Sequence, residues 1–589
     1  MSFTRIFDLL PFCLKQFPKA DALAAKENGK WITYSTQQYL NISTDAAYGL
    51  LTLGIEREDK IGILANNRPE WNFADMGIMM AGAVDVPIYP TISDHDLEYI
   101  INDSQLKYFF VTGKELYDKV KRCSQKFSCV KNIYTFNKTE GASHWSELVE
   151  LGRKNKNTEK LEKIKASIGP NDMATILYTS GTTGNPKGVM LSHNNIISQL
   201  KAVKHRMPVG YEHKALSFLP LNHVYERMLT YNYFSIGTSI YYAESIDTIA
   251  ANLLEIKPHI FTTVPRLLEK VYDRIVAKGN DLTGIKRKLF FWSLDLGLKY
   301  EMDGKNGAWY EFQLNIARKL VFKKWREGLG GNIIATVSGG AALQDRLARI
   351  FWAAQIPVLQ GYGLTETSPV VAVNYLDKGC NRFGTVGPII DDIQVKIAGD
   401  GEILVNGPCI MLGYYKNPQA TAEVIVDGWF HTGDIGILDG ENFLKITDRK
   451  KEIFKTSGGK YITPGMIENK LRESPFIEQA MVVGENQKFA SALIVPAFAY
   501  LKDQCSKKGI TYTTNEEMVK NETVKSWIKE DVDKMNKTLA QYESIKRFEL
   551  LPKEWTIDKG ELTPKLSLKR KIITATNKEV IEKIYFETK

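Results

Sequence analysis

The sequence predicts an α/β protein, with a large multi-subdomain N-terminal body of layered α/β sheets followed by a small α+β C-terminal domain. Three observations carry that expectation. Short apolar runs alternate with longer amphipathic ones through the first 450 residues, the pattern of buried strands covered by helices. The texture changes near residue 401, where short strands separated by turn residues take over. At 589 residues the chain is long enough for several units of about 150 residues each.

Taken in order, Ile61-Gly62-Ile63-Leu64-Ala65, Tyr108-Phe109-Phe110-Val111 and Thr175-Ile176-Leu177-Tyr178 read as buried strands. Residues 194–203 and 344–353 read as helices. Residues 153–165 are crowded with Lys and Glu and lack aromatics, as in an exposed helix or linker, and Gly169-Pro170 punctuates the chain after them. Further on, residues 402–405, 443–446 and 480–483 read as short strands, with Asp439-Gly440 as a turn. The domain boundary is placed within Thr447-Asp448-Arg449-Lys450-Lys451, giving domains 1–447 and 448–589.

Composition narrows the function classes. Hydrophobic residues make up 44% and charged residues 25%, which excludes wholesale disorder, collagen and a disulfide-rich miniprotein. Lys plus Arg number 77 against 68 Asp plus Glu, a formal charge of +9, compatible with acidic small molecules, nucleic acid or an anionic membrane surface. The six cysteines form no CxxC pair and no metal-ligand spacing, so they read as reduced thiols. No run approaches about 18 uncharged apolar residues, and the N-terminus, with Arg5 and Asp8, does not read as a secretory signal. The expectation is a cytoplasmic protein, with a peripheral membrane contact left open.

The most informative string is Tyr178-Thr179-Ser180-Gly181-Thr182-Thr183-Gly184-Asn185-Pro186-Lys187-Gly188. A buried strand enters a loop whose glycines let backbone N–H groups turn toward one ligand. The hydroxyls of Thr179, Ser180, Thr182 and Thr183 add neutral donors, and Lys187 adds charge. These are the parts of a polyphosphate cradle. A Walker A loop does not fit, because Lys187 follows Pro186 and precedes Gly188.

The string resembles the phosphate-binding signature of the adenylate-forming superfamily, which includes acyl-CoA synthetases, luciferases and peptide-synthetase adenylation domains. Further strings match in the family's order between Tyr178 and Lys571. In Leu219-Pro220-Leu221-Asn222-His223-Val224-Tyr225-Glu226-Arg227, the resemblance places His223 beside the acyl carboxylate and the path of an incoming thiol. The Val-Tyr-Glu-Arg ending and Thr263-Val264-Pro265-Arg266 look like the long-chain fatty acyl-CoA synthetase branch. Ser338-Gly339-Gly340-Ala341-Ala342 is by itself a strand-to-helix turn, and the resemblance assigns Gly339, Gly340 and Ala341 to the adenine and acyl-pocket walls. In Gln360-Gly361-Tyr362-Gly363-Leu364-Thr365-Glu366 an aromatic ring can stack on adenine, a hydroxyl can donate to the α-phosphate and a carboxylate can hold Mg²⁺ near phosphate oxygens. By resemblance these are Tyr362 with Gly363, Thr365 and Glu366. Trp429-Phe430-His431-Thr432-Gly433-Asp434 matches the ribose-binding element, with Asp434 accepting from the cis-diol.

In Asp448-Arg449-Lys450-Lys451-Glu452-Ile453 and the later Ser457-Gly458-Gly459-Lys460, the resemblance gives Arg449 to the ribose, Lys451 to a hinge and Gly458 to the approach of a pantetheine arm. The C-terminal domain would then be a mobile lid. In Gly560-Glu561-Leu562-Thr563-Pro564-Lys565-Leu566-Ser567-Leu568-Lys569-Arg570-Lys571, Lys569 is assigned as the adenylation lysine. Many relatives carry glycine where this chain has Leu568, so Lys565 is the second choice.

The expected reaction is activation of a long-chain fatty acid to its acyl-AMP with ATP and Mg²⁺, then transfer to coenzyme A. The alternatives are a fatty acyl-AMP ligase, a medium-chain acyl-CoA synthetase, or a degenerate lipid- or nucleotide-binding protein. Nothing in the sequence demands a luciferase-like oxygenase. The expected partners are the fatty acid, ATP and coenzyme A rather than nucleic acid; chain length and oligomeric state stay open.

Overall fold

The structure is a computed structural model that describes residues 3–179, 185–556, 559–563 and 568–586. The chain divides into two compact units. One comprises Met1–Lys396, Leu404–His431 and Asp439–Leu444; the other comprises Ile397–Ile403, Thr432–Leu438 and Lys445–Lys589.

Two eight-stranded sheets build the first unit. One runs in the order Gly413–Tyr414, Lys187–Ser192, Met173–Thr179, Val84–Pro87, Lys60–Leu64, Tyr108–Val111, Asn132–Thr135 and Ser143–His144. The other runs Val370–Val373, Val358–Gly363, Ala335–Ser338, Ile260–Thr263, Lys214–Ser217, Ser239–Tyr242, Leu23–Glu27 and Lys30–Tyr34. The inner strands pair in parallel; antiparallel pairs close both ends of the second sheet and the Gly413–Tyr414 end of the first, whose other end, Ser143–His144, pairs in parallel. Parallel strands covered on both faces read as continuous apolar runs, and Tyr108–Val111 is buried at every position.

Between the strands lie helices with no exposed face. All twelve residues of Pro69–Met80 are buried, as are all of Val224–Ser235 except Tyr225. Both helices are enclosed, polar groups such as Asn72 and Arg227 meeting buried partners, and one core holds Trp71, Phe73, Tyr231 and Tyr233 together with Ile61, Leu177 and Ile240 from both sheets. The expected helices appear as His193–Val203 and Asp345–Ala353. The charged stretch 153–165 belongs to two helices, Trp145–Lys154 and Thr158–Ser167, the second burying only Leu161.

The second unit has its own core. Strands Ile477–Val483, Ser491–Pro496 and Arg547–Leu550 form a sheet, against which Ile467, Phe498, Leu501 and Ile528 pack. The reading of a small α+β domain matches this unit. All six cysteines are free. Among the described residues no helix is long and apolar enough to cross a membrane.

Candidate active site

Topology gathers most of the first unit's candidate residues at one place. Lys214–Ser217, Ile260–Thr263, Ala335–Ser338 and Val358–Gly363 are consecutive parallel neighbours in one sheet. The chain leaves their carboxyl ends as the loops holding His223, Gly339 to Ala341, and Thr365 with Glu366. Ligands of open α/β sheets bind outside the carboxyl ends of the strands.

In the other sheet, Met173–Thr179 pairs antiparallel with Lys187–Ser192, and Thr179 stands opposite Lys187. This pairing pins both ends of the hydroxyl- and glycine-rich loop. Ser180, Gly181, Thr182, Thr183 and Gly184 lie outside the described residues. Gly188 has no room for a side chain, since a Cβ would stand 2.9 Å from Ile176. The Lys187 ammonium sits 4.8 Å from the centre of the Tyr414 ring, and the Tyr414 hydroxyl donates to Glu366 Oε1 at 3.0 Å. Burial pushes the Tyr414 phenol up from its ordinary value, with the Glu366 charge adding to the shift, so the hydroxyl stays a neutral donor. Tyr414 thus joins the loop lysine to the predicted metal carboxylate. No motif in the sequence reading contained Tyr414; its only signal there is an aromatic pair after Gly413, and strand pairing of Tyr414 with Val189 is what brings it in. Asn195, in a capping box with Ser192, donates to the Pro408 and Ile410 carbonyls at 2.8 and 2.9 Å and holds the approach to Tyr414.

Glu366 is held from its own loop as well. Thr365–Thr367 is a single 3₁₀ turn, in which the Thr367 hydroxyl accepts the Leu364 N–H at 2.9 Å and donates to the Pro369 carbonyl at 2.6 Å. Tyr362 pairs with Ala372 across the adjoining strands. Gly363 admits nothing larger, because a Cβ there would lie 1.6 Å from the Pro369 oxygen.

His223 caps the helix Val224–Ser235, its Nδ1 accepting the Tyr225 N–H at 3.0 Å. A neutral ring that accepts at Nδ1 carries its proton at Nε2. The Tyr225 hydroxyl donates to the Val337 carbonyl at 3.1 Å, and its ring lies 3.1 Å from where a Cβ on Gly339 would be. His223 and the Gly339-Gly340 turn are therefore positioned by one tyrosine. Gly340 takes φ +81°, a left-handed conformation that favours glycine, and Ala341 is exposed.

The remaining two residues of the Val-Tyr-Glu-Arg string point into the core. Arg227 ion-pairs with Asp75 at 2.5 Å and Asp85 at 2.8 Å, and donates to Thr175 and Tyr231 at 2.8 and 2.7 Å. Glu226 accepts from Ser217 at 2.5 Å and from Thr262; burial pushes its carboxyl up to about 7, against the pull of those two hydroxyls. This string, which the sequence offers as a branch marker, is scaffold beneath the His223 loop.

In the second unit, Asp434 is buried with Oδ1 3.4 Å from Nε of the mostly exposed Arg449. Its neighbour Gly433 donates to Glu402 at 2.9 Å, and Lys450 bridges Glu402 and Asp400 at 2.9 and 2.6 Å. Asp448 accepts the Arg449 N–H at 2.6 Å. Burial pushes its carboxyl up to about 6, the Arg449 N–H opposes that, and Glu452 and Glu468 add to it. Gly458 stands in the hairpin between Phe454–Lys455 and Tyr461–Ile462, with only the Thr456 hydroxyl as close as 4.0 Å to a Cβ there.

Lys569 precedes the helix Arg570–Thr576, and its N–H donates to the Glu561 carbonyl at 2.8 Å. Lys565 lies outside the described residues. Next to Lys569, Arg570 donates to both oxygens of the buried Glu468 at 2.6 Å, to Glu452 at 3.2 Å and to the Val482 carbonyl at 3.2 Å. In sequence Arg570 is one cation in a basic run, and nothing there distinguishes it.

Among the described residues, no group of three or more His, Cys, Asp or Glu could hold a metal. One carboxylate, Glu366, held by a phenol beside a phosphate-loop lysine, suits Mg²⁺, which takes one or two carboxylates and fills its other positions with phosphates and water.

Layered parallel sheets that bring Lys187 through Tyr414 to the Glu366 carboxylate define an α/β protein whose cation and carboxylate suit a phosphorylated ligand. The chain belongs to the AMP-binding enzyme family, whose model matches residues 13–415, with the AMP-binding enzyme C-terminal domain matching 451–589. The long-chain-fatty-acid–CoA ligase FadD15 of Mycobacterium bovis is 34% identical over 566 residues, 95% of this chain and 93% of that protein. The long-chain-fatty-acid–CoA ligase ACSBG2 of Xenopus laevis is 32% identical over 606 aligned positions, 96% of this chain and 81% of that protein. Among solved structures, the adenylation domain of a carboxylate reductase from Mycobacterium chelonae superimposes with a TM-score of 0.76 at 20% identity, covering 99% of this chain and 91% of that one.

Proposed function

We propose that this chain is an AMP-forming long-chain-fatty-acid–CoA ligase. The single observation that carries the reading is the Lys187–Tyr414–Glu366 connection, which sets a cation and a carboxylate beside the loop that the family uses for phosphates. The names of the relatives supply the acyl class.

A carboxylate is a poor acyl donor because it is anionic and would have to expel oxide. In the first half-reaction its oxygen attacks the α-phosphorus of ATP, the bond to the bridging oxygen breaks, and pyrophosphate leaves. The protein's work is to position two anions and offset their repulsion. Lys187 and the hydroxyls of Thr179, Ser180, Thr182 and Thr183, with the glycine backbone of Gly181 and Gly184, hold the leaving phosphates; Thr365 and Lys569 meet the α-phosphate and the carboxylate. Glu366 would hold Mg²⁺, which supplies charge neutralisation on the phosphate oxygens when bound. Tyr362, Gly363, Gly339, Gly340 and Ala341 form the adenine and acyl walls, and Asp434 and Arg449 take the ribose.

In the second half-reaction the thiol of coenzyme A attacks the acyl carbonyl, loses its proton, and AMP departs. His223 stands on the thiol's path, and Gly458 admits the pantetheine arm. Domains 1–447 and 448–589, with the hinge at Lys451, would exchange Lys569 for the Gly458 loop between the two steps. The proposed setting is cytoplasmic.

AMP formation from a panel of C2 to C18 acids with coenzyme A tests the function; an optimum at short acids, or AMP release that ignores coenzyme A, would overturn it. Lys569→Ala should abolish pyrophosphate release and leave transfer from supplied acyl-AMP nearly intact. Equal loss of both half-reactions would remove Lys569 from its role.

A further inference from the structure

Away from the site, one helical surface of the first unit exposes large apolar side chains in a row. On Ala308–Ala317 and the π-helical turn Arg318–Phe322 that continues it, Trp309 is 71% exposed, Phe312 56%, Ile316 36% and Leu320 53%. Spacings of three, four and four residues place them on one face, opposite the buried Leu314, Ala317 and Phe322. Trp309 and Phe312 stack on one another at 5.5 Å. An exposed contiguous apolar stripe on a soluble unit marks a surface that something covers.

The charge around the stripe says what. Residues 284–328 hold ten Lys plus Arg against five Asp plus Glu, a net +5 out of +9 for the whole chain. Lys319, Lys323 and Lys324 are exposed beside Leu320, and Lys286, Arg287 and Lys288 are exposed at the start of the neighbouring helix Gly284–Leu298. A second copy of this chain would bring two +5 surfaces face to face, which like-charge repulsion opposes. An apolar face with Trp, Phe and Leu, bordered by lysines, is the composition of a helix that lies in the interface of an anionic bilayer.

We propose that the Trp309–Phe312–Ile316–Leu320 face is a membrane-docking surface that seats on anionic lipid. Trp309 and Phe312 enter the boundary between headgroups and acyl chains, while Lys319, Lys323 and Lys324 meet the headgroup phosphates. The surface is independent of the proposed reaction, because its occupancy is read with no substrate present. If the chain does act on long-chain acids, the docking places it where such acids partition.

Flotation of the full chain with vesicles tests this. Vesicles of phosphatidylcholine containing phosphatidylglycerol should carry the protein, and pure phosphatidylcholine should carry much less. Each lysine near an anionic surface contributes about a fivefold factor in binding, so Lys319→Gln/Lys323→Gln/Lys324→Gln should weaken it about a hundredfold. Trp309→Ser/Phe312→Ser/Leu320→Ser should weaken it at least about tenfold. All six positions are exposed, and AMP formation from a water-soluble short acid should be unchanged in both variants. Equal binding to both vesicle types, or parental binding by either triple variant, overturns the proposal. So does a parent dimer, seen by analytical ultracentrifugation, that the Trp309 triple variant dissolves, since the face would then belong to a second copy.

Discussion

Arg570→Met removes a guanidinium that makes four hydrogen bonds: two to Glu468 at 2.6 Å, one to Glu452 and one to the Val482 carbonyl, both at 3.2 Å. Glu468 is 6% exposed, and burial already holds its carboxyl above the usual range, with Arg570 opposing that shift. Deleting one partner of such a buried pair costs about 3–5 kcal/mol, because the other charge is left unpaired. Without Arg570 the Glu468 carboxyl rises further. A carboxyl whose folded pKa is raised favours the folded state below its unfolded value and loses that favour as pH rises, so the variant's deficit should widen between pH 5 and pH 8. Urea titrations of the full chain across that range measure it.

The functional consequence follows from adjacency. Lys569 caps the helix that Arg570 anchors, so release of Arg570 should lower carboxylate-dependent pyrophosphate release more than acyl transfer from supplied acyl-AMP. Arg570→Lys keeps the charge but replaces a planar fork by a point donor; it should recover part of the stability while pyrophosphate release stays about ten- to a hundredfold down. A methionine variant within about 0.5 kcal/mol of the parent would refute the network. Equal loss of both half-reactions in the lysine variant would leave Arg570 with a structural role only.

Three further outcomes are expected. Glu226 is protonated up to about 7 in the folded state against an ordinary 4.5, so the parent should lose about 3 kcal/mol of stability as pH rises from 4.5 to above 7; Glu226→Gln should flatten that slope in urea titrations, and an unchanged slope contradicts the assignment. Tyr414→Phe keeps the ring beneath Lys187 and deletes the bond to Glu366. It should lower kcat/KM for ATP about tenfold, and parental ATP kinetics would remove Tyr414 from the site. Gly363→Ala drives a Cβ to 1.6 Å from the Pro369 oxygen, so it should separate the strands Val358–Gly363 and Val370–Val373 and abolish activity; an active, parent-like variant would contradict this packing.

Much of the architecture was legible because buried parallel strands cannot avoid being apolar: Tyr108–Val111 and Met173–Thr179 announce themselves. Residues 153–165 were harder, since a lysine- and glutamate-rich surface helix and a linker have the same composition, and the break between Lys154 and Thr158 has no apolar signature. Among candidate site residues, those inside dense strings such as Thr365 and Glu366 can be nominated from sequence. Tyr414 and Arg570 could not, because their partners lie 48 residues away at Glu366 and 102 away at Glu468.

The family motifs assign Glu226 and Arg227 together with His223 to one string, and only tertiary structure separates their work. His223 caps the helix at its open end, while the next turn carries Glu226 and Arg227 between two sheets, where two hydroxyls meet the Glu226 carboxyl and Asp75 and Asp85 meet the Arg227 guanidinium. Sequence by itself determined the strand-and-loop grammar, the membership of the AMP-binding enzyme family and which residues are candidates to meet anions. Tertiary structure decided which charges are scaffold, which tyrosine joins Lys187 to Glu366, and that half of the excess positive charge surrounds an exposed apolar stripe. Hydrophobic periodicity is local and can be read along the chain, whereas ion pairing and exposure depend on what folding brings alongside.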